Sequence, residues 1–303
     1  MSKQSERTSA GHILVTGGSG YLGRWVVCLA RPSWDVTATF LTQTPRAPGV
    51  HWRRLDVRDQ PAVAALIDEL QPSAVVHTAA LNPGQGTEFE PTNAAGTRHV
   101  ARAAAAVGAR LIHVSTDVLF DGQKGSYTEE DSPSPITPYG RSKALAEEAV
   151  HASGADAVIV RTSLLYGPAA DAPQPPAREQ GWRRWDRQTR WVVGDLQAHK
   201  PVRLFTDELR CPVWVESLAS ALLELAAHPY RGVLHVAGPQ DLSRYAFGVR
   251  LARVHGVDPA GITPALSRES GLIRPLDCTL DSSRAQTLLR TPLPGVDEIL
   301  IPR

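Results

Sequence analysis

A glycine-rich turn near the start restricts this chain more than any other feature. Thr16-Gly17-Gly18-Ser19-Gly20-Tyr21-Leu22-Gly23 follows the apolar run His12-Ile13-Leu14-Val15 without a break and feeds a helix-like run from Tyr21 to Ala30. In that strand-turn-helix setting, Gly17 permits a tight turn, Gly20 lets the backbone approach a pyrophosphate, and Gly23 lets the helix pack closely on a sheet. The amides at the helix N-terminus face the anion. The spacing predicts a dinucleotide-binding unit; the bland alternative is a glycine-rich connection that binds nothing. An acid that would hold a ribose is expected roughly 20 residues on, yet Thr42 and Gln43 occupy that region and Asp35 comes too early. Arg24 beside the last glycine and Arg46 beyond the second strand could instead pair with a 2′-phosphate, so the reading favours NADP (NADPH) over NAD. Asp56, in Leu55-Asp56-Val57, is a candidate for the adenine edge, or simply the acidic residue that opens the next helix.

The pattern beyond the turn repeats the same alternation. Val36 to Phe40, Val50 to Leu55, Ala74 to Thr78, Arg110 to Ser115 and Ala157 to Arg161 read as short strands, separated by helix-like stretches at 61–70, 92–107 and 138–152. Strands with helices between them pair in parallel through right-handed crossovers, which predicts an α/β fold with a doubly wound parallel sheet of the Rossmann kind. After Gly167 the prolines at 168, 173, 175 and 176 interrupt regular structure. We therefore expect a loose tail over 1–10, a dinucleotide-binding domain over 11–167, and a smaller α/β substrate-binding subdomain over most of 168–303, some of whose segments return to the main sheet. Within it Val202 to Phe205 and Gly232 to Val236 read as strands, 216–227 and 243–255 as helices.

Composition narrows the functional classes. A chain of 303 residues that is 42% hydrophobic can bury a large core, and a formal net charge of +1 provides no global field for nucleic acid or an anionic membrane. The three cysteines, at 28, 211 and 278, show no metal-binding or disulfide spacing; no run approaches a membrane span, and the start lacks an apolar signal region. The expectation is a soluble cytoplasmic protein with no metal.

The most informative chemistry lies in Thr137-Pro138-Tyr139-Gly140-Arg141-Ser142-Lys143. Thr137 suits a helix N-cap and Pro138 its first position, so Tyr139 and Lys143 stand one turn apart on one face. An ammonium close to a phenol favours the phenolate and brings a pKa near 10 towards the working range. Thr116, or its neighbour Ser115, could hold an oxygen on which negative charge develops. The bland alternative is a half-buried aromatic beside a surface lysine.

Taken together, the glycine turn, Tyr139-x-x-x-Lys143 and Asn93 in Thr92-Asn93-Ala94-Ala95-Gly96-Thr97 resemble the extended short-chain dehydrogenase/reductase superfamily. Ser115-Thr116-Asp117-Val118-Leu119-Phe120-Asp121-Gly122, Tyr127-Thr128-Glu129-Glu130-Asp131, Arg161-Thr162-Ser163-Leu164-Leu165-Tyr166-Gly167, Arg210-Cys211-Pro212-Val213-Trp214-Val215 and Gly232 to Gly238 resemble the dTDP-4-dehydrorhamnose reductase group within it. That resemblance implies a catalytic set of Thr116, Tyr139 and Lys143, with Asn93 tied to the proton relay and Tyr139 as general acid towards a ketone that receives hydride from NADPH. It implies a cofactor held by Gly17, Gly20, Tyr21, Leu22, Gly23 and Arg24, by Asp56 and Val57, by Thr78, Ala79 and Ala80, and by Ser115, Tyr139, Lys143 and Leu164. For a nucleotide-activated 4-keto-6-deoxysugar it implies Asn82, Thr116, Arg210 and Arg274, the two arginines as diphosphate contacts. His77 reads as a packed strand residue.

Where members of the group carry Trp against the substrate in an R-T-S-W segment, this chain has Leu164, so the sugar stays open. The chain is also similar to the regulatory β subunit of methionine adenosyltransferase, echoed in Arg274-Pro275-Leu276-Asp277-Cys278 and Leu280-Asp281-Ser282-Ser283, which implies the alternative of an NADP-binding subunit acting through a protein partner. A cofactor-recycling epimerase or dehydratase is a third alternative, and a homodimer is left open. The segment Gly181 to Trp191 interleaves tryptophans and arginines as single-stranded nucleic-acid grooves do, but Trp182 and Trp185 read better as sharing a buried helical face, with no nucleic acid.

Overall fold

The computed structural model describes residues 11–43, 45, 47–170 and 181–300; the expected loose tail at 1–10, Arg46 and the prolines at 173, 175 and 176 lie outside them. The first half alternates as β1 (His12–Thr16), α1 (Tyr21–Ala30), β2 (Asp35–Phe40), β3 (His51–Arg54), α2 (Gln60–Leu70), β4 (Ala74–His77), α3 (Gly96–Ala106), β5 (Arg110–Val114), α4 (Pro138–His151) and β6 (Ala157–Arg161). Every residue of β4 is buried, as are Ile13, Leu14 and Val15 of β1, because parallel strands covered on both faces need continuous apolar sequence. Local signals fix the helix starts. Asp59 caps α2 by accepting from the Ala62 amide at 3.0 Å, and Thr137 caps α4 by accepting from the Gly140 amide at 3.0 Å, with Pro61 and Pro138 in the first turns. The stretch expected to run as one helix over 92–107 instead opens as a π-helical turn, Pro91–Ala95, before α3.

The remainder comprises β7 (Leu165–Tyr166), α5 (Arg187–Gln197), β8 (Val202–Phe205), β9 (Leu209–Arg210), β10 (Val213–Trp214), α6 (Val215–Ala226), β11 (Gly232–His235), β12 (Leu242–Ser243), α7 (Arg244–Val254), β13 (Ile262–Ala265), α8 (Ser283–Leu288) and α9 (Val296–Leu300). The main sheet has the order β3-β2-β1-β4-β5-β6-β11, and its pairings are parallel throughout. Thus β11 crosses back from the second half to close the sheet edge. Leu218, Leu222 and Leu225 of α6 are fully buried with Trp25 and Val26 of α1 and Ile13 of β1, while α2 and α3 cover the opposite face around Leu14, Val75 and Leu111. Each such leucine removed from water contributes roughly 1.5–3 kcal/mol. Short ladders make up the rest: β7 with β10, β8 with β13, and β9 with β12.

Strand order reverses between β1 and β4, and a crevice opens there beyond the carboxyl ends of the strands. Helix α1 is tied to the second half at this point: the Tyr21 hydroxyl donates to the Gly167 carbonyl at 2.7 Å and the Trp25 indole to the Pro168 carbonyl at 2.9 Å. Trp182 and Trp185 do not share a helical face. Gly181–Arg184 is a 3-10 turn, Trp185 is buried against Trp214 at 5.8 Å, and Trp182 lies over Gly194 of α5.

Candidate active site

Two adjoining cavities of about 430 and 810 Å³ occupy the crevice and share Gly20, Tyr21, Thr78, Ala80 and Asn82. The glycines do different things there. Gly17 holds φ +70°, and a Cβ on it would sit 2.6 Å from the Ala79 amide nitrogen; a Cβ on Gly23 would overlap the Gly17 carbonyl oxygen. These two close the turn onto the neighbouring loop and onto itself. Gly20 meets nothing nearer than that same oxygen at 3.1 Å, faces both cavities, and leaves the N-terminus of α1 without a side-chain cap. An oxyanion therefore fits against helix amides that carry no side-chain cap among the described residues.

The larger cavity is lined by Gly17, Asp56, Val57 and Ala79 among the expected cofactor residues. Asp56 is already engaged: Arg58 donates from Nε to Oδ1 at 2.9 Å and from Nη2 to Oδ2 at 2.5 Å, and this hydrogen bonding holds the carboxyl below its ordinary pKa. Arg24 donates from Nε to the Ser19 carbonyl at 2.9 Å and lines neither cavity.

The smaller cavity gathers Tyr21, Leu22, Gly23, Ser115, Thr116, Tyr139, Lys143 and Leu164. Thr116 caps a 3-10 turn, Asp117–Leu119, at the exit of β5, and Tyr139 is the second residue of α4, so two short local structures aim their hydroxyls at one volume. The Tyr139 hydroxyl donates to Asn82 Oδ1 at 3.3 Å. Lys143 is buried and donates from Nζ to the Val114 carbonyl at 2.7 Å, with His113 Nε2 at 3.4 Å. Burial lowers its pKa to about 8, opposed by Glu147.

The expected electrostatics of the pair are not what the structure shows. Burial, reinforced by the Asp117 carboxylate and only partly offset by Thr116, pushes the Tyr139 phenol above its ordinary value. The ammonium leans on the β5 carbonyl rather than on the phenol, and desolvation outweighs its field. Tyr139 is thus a protonated phenol at neutral pH.

Asn93 lines neither cavity. It lies fully buried behind them, accepting from the Leu81 amide at 2.8 Å and donating to the Leu81 carbonyl and the Ser142 hydroxyl at 3.0 Å each, while Ser142 donates to the Tyr139 carbonyl at 2.7 Å. It clamps the loop that bears Asn82 to the turn that bears Tyr139. The π-turn is the local irregularity at which this amide reaches both. Ser115, although it lines the cavity, donates its hydroxyl to Glu147 in the buried Glu147–Arg161 ion pair. His77 is packed: its ring nitrogens meet Thr16 and Thr97 hydroxyls at 2.6 and 3.0 Å, it stacks on His113 at 5.4 Å, and burial, with Lys143 nearby, lowers its pKa to about 3.

The smaller cavity is also lined by Asn82, beside the Tyr139 hydroxyl, and by Arg210 and Arg274, joined by Asp117, Glu208 and Arg244, which the sequence did not single out for this role. Arg210 is buried, with its guanidinium committed to the carbonyls of Leu209, Leu276 and Pro275 at 2.6–3.0 Å and Nε 3.6 Å from Asp117. It braces the loop rather than presenting a free fork. Arg274 pairs with Glu208, Nη2 to Oε2 at 3.1 Å, beneath the Phe205 ring. Asp117 accepts from the Ser163 hydroxyl at 2.6 Å, and burial raises its pKa against the pull of Arg210. Leu164 lines the cavity where the family resemblance would place tryptophan, above an aromatic cluster of Tyr166, Trp185, Trp214 and Phe247.

A doubly wound parallel sheet, an uncapped glycine turn at its switch point, and a threonine, tyrosine and lysine in one cavity define an oxidoreductase-type site of the extended short-chain dehydrogenase/reductase class. The chain belongs to the RmlD substrate binding domain family, whose profile matches residues 11–300. It is 31% identical over 298 residues to the probable low-salt glycan biosynthesis reductase Agl14 of Haloferax volcanii, covering 95% of this chain and 96% of that one. It is 33% identical to the dTDP-4-dehydrorhamnose reductase of Mycobacterium tuberculosis, over 89% and 82% of the two chains, and 29% identical to methionine adenosyltransferase 2 subunit beta of Mus musculus, over 96% and 87%. Among solved structures, a hypothetical dTDP-4-dehydrorhamnose reductase from Sulfolobus tokodaii superposes with a TM-score of 0.79 at 29% identity, covering 94% of this chain and 97% of that one. The Bacillus anthracis dTDP-4-dehydrorhamnose reductase, solved with NADP, shares the fold with a TM-score of 0.78 at 23% identity, over 93% and 95% of the two chains. No helix among the described residues is long and apolar enough to cross a membrane.

Proposed function

We propose that this protein is an NADPH-dependent reductase of a nucleotide-activated keto sugar, of the 4-keto-6-deoxysugar type, with the nucleotide cofactor in the larger cavity and the sugar in the smaller one. One observation carries the reading: Thr116, Tyr139 and Lys143 line a single cavity that runs from the glycine turn to an arginine cluster. A bound nicotinamide supplies hydride to a carbonyl carbon. Thr116 and Tyr139 hold the carbonyl oxygen, and the Tyr139 phenol gives up its proton as charge develops there. A raised pKa suits that role, because the phenol is fully protonated beforehand and the nascent alkoxide is a far stronger base. Lys143, fixed by the Val114 carbonyl, presents an ammonium beside the site. NADP is favoured because the sequence has no acidic residue between Asp35 and Asp56, and Asp56 is neutralised by Arg58.

Residues 168–303 serve in this reading chiefly to bind the sugar nucleotide, in a protein working in the cytoplasm. The test is oxidation of NADPH followed at the nicotinamide absorbance with a panel of nucleotide-linked keto sugars. Tyr139→Phe should lower kcat roughly 10²–10⁴-fold while NADPH still binds; retained turnover removes the assigned acid. The likeness to methionine adenosyltransferase 2 subunit beta, together with Leu164, favours a second reading: a cofactor-binding subunit, recognised by copurification with a stoichiometric partner and inertness towards every keto sugar. A recycling epimerase or dehydratase would retain NAD tightly and consume no added NADPH.

A further inference from the structure

The arginine cluster contains one cation more than its own acids pair with. Arg210 faces Asp117 and Arg274 faces Glu208, whereas the Arg244 guanidinium has no hydrogen bond or ion pair to any described residue. Its placement is fixed by backbone pairing. The β9–β12 ladder sets Leu242 against Arg210 and Ser243 against Leu209, the Ser243 hydroxyl caps α7, and the Arg244 amide donates to the Glu208 carbonyl at 2.9 Å. Arg244 is therefore the first residue of a helix, where a cation opposes the helix dipole, and it is held beside two further arginines. Desolvation, followed by the repulsion of Arg210 and Arg274, lowers its pKa to about 10, against the weaker pull of Glu208 and Asp117. Such an arrangement is unfavourable to the fold alone and favourable once an anion arrives.

Resting on the reading of the cleft as a sugar-nucleotide site, we infer that Arg244 is the residue that seats an anionic oxygen group of the substrate, a diphosphate or a sugar carboxylate, where the cavity is lined by the arginine cluster. Arg274 can join it from the cavity rim, since its side chain is 41% exposed while Glu208 beneath it is 1% exposed. Arg210 cannot, with its donors engaged by carbonyls.

The experiment uses Arg244→Gln, Arg244→Leu and Arg244→Lys in the full-length protein, with calorimetric titration of dTDP, UDP-glucose, UDP-glucuronate and NADP⁺ and a thermal melt of each ligand-free variant. The expected result is at least a tenfold loss of substrate-side affinity in the Gln and Leu variants, partial rescue by Lys, and unchanged NADP⁺ affinity. The ligand-free Gln and Leu variants should melt at or above the wild-type temperature, because a repelled cation has been removed. An equal loss for dTDP and both UDP-sugars assigns the diphosphate; loss of the preference for UDP-glucuronate over UDP-glucose alone assigns the carboxylate. Equal affinities in wild type and Gln variant, no binding of any of the three substrate-side probes by wild type, or a parallel fall in NADP⁺ affinity each overturns the inference. Arg244-dependent dTDP binding without NADPH consumption on any keto sugar keeps it and removes the reductase reading, whereas turnover with an unchanged KM in Arg244→Gln does the reverse.

Discussion

The two ends of the cleft are built from different materials. The nucleotide end is largely backbone: a turn in which Gly17, Gly20 and Gly23 face other main-chain atoms, a helix N-terminus without a side-chain cap, and small residues at the end of β4. The opposite end is side chain: Asp117, Glu208, Arg210, Arg244 and Arg274 come from four separated segments and satisfy one another, with Arg244 left over. Backbone sites cannot be altered without altering the fold. Side-chain sites can be retuned one residue at a time, which is where family members with a shared sheet can diverge in substrate.

That contrast can be broken by experiment, beginning with the largest effect. Gly23→Val should fail on both counts, losing NADP⁺ binding by titration and at least about 2–3 kcal/mol of stability by urea unfolding, since the added carbons meet the backbone of Gly17 and Gly18. A stable Gly23→Val protein that still binds NADP⁺ would show that the nucleotide end is no more rigid than the other. Asn93→Ala comes next. Removing the amide takes the partner from the part-buried Leu81 N–H and C=O and from the buried Ser142 hydroxyl, at about 1–3 kcal/mol, and the loosened Asn82 loop and Tyr139 turn should lower kcat more than they raise KM. An unchanged kcat would show that the clamp positions neither.

A third effect is graded with pH. His77 titrates at about 6.5 unfolded and about 3 folded, so the folded state binds fewer protons between those values. Its contribution is complete above pH 6.5 and falls as the pH drops towards 3, at about 1.4 kcal/mol per pH unit. His113, also pushed well below its ordinary value by burial, adds a second proton to the same acid limb. Burial lowers His235 and His255 to about 4 as well, so urea unfolding at pH 7 and pH 5 should show the loss, and His113→Gln should reduce the slope by about a quarter; an unchanged slope would mean that these rings are not neutral in the core.

What the sequence made legible follows the same division. The glycine turn, the Thr137 cap and the Tyr139–Lys143 spacing are local patterns, and the structure places them at the strand ends of a seven-stranded parallel sheet as expected. Asn93 was visible as a residue but not as a clamp, because its partners Leu81 and Ser142 are set by the fold. Arg244 gave almost no signal, since one arginine at a helix start resembles any solvated charge. The hint available was electrostatic: Ser243 is a competent cap, and a cation directly after a cap is badly placed unless something negative visits it. The Tyr139 pKa was misjudged because spacing reveals a neighbouring charge, while desolvation depends on everything packed around the ring.

The return of β11 to the edge of the main sheet, with α6 buried against α1, has a practical meaning for redesign. A chimera that joins residues 11–167 of this chain to the second half of a relative would exchange the outermost strand and the helix packed on α1 together with the sugar pocket. New selectivity is better sought by grafting the few charged positions around Glu208, Arg244 and Arg274 into an intact chain.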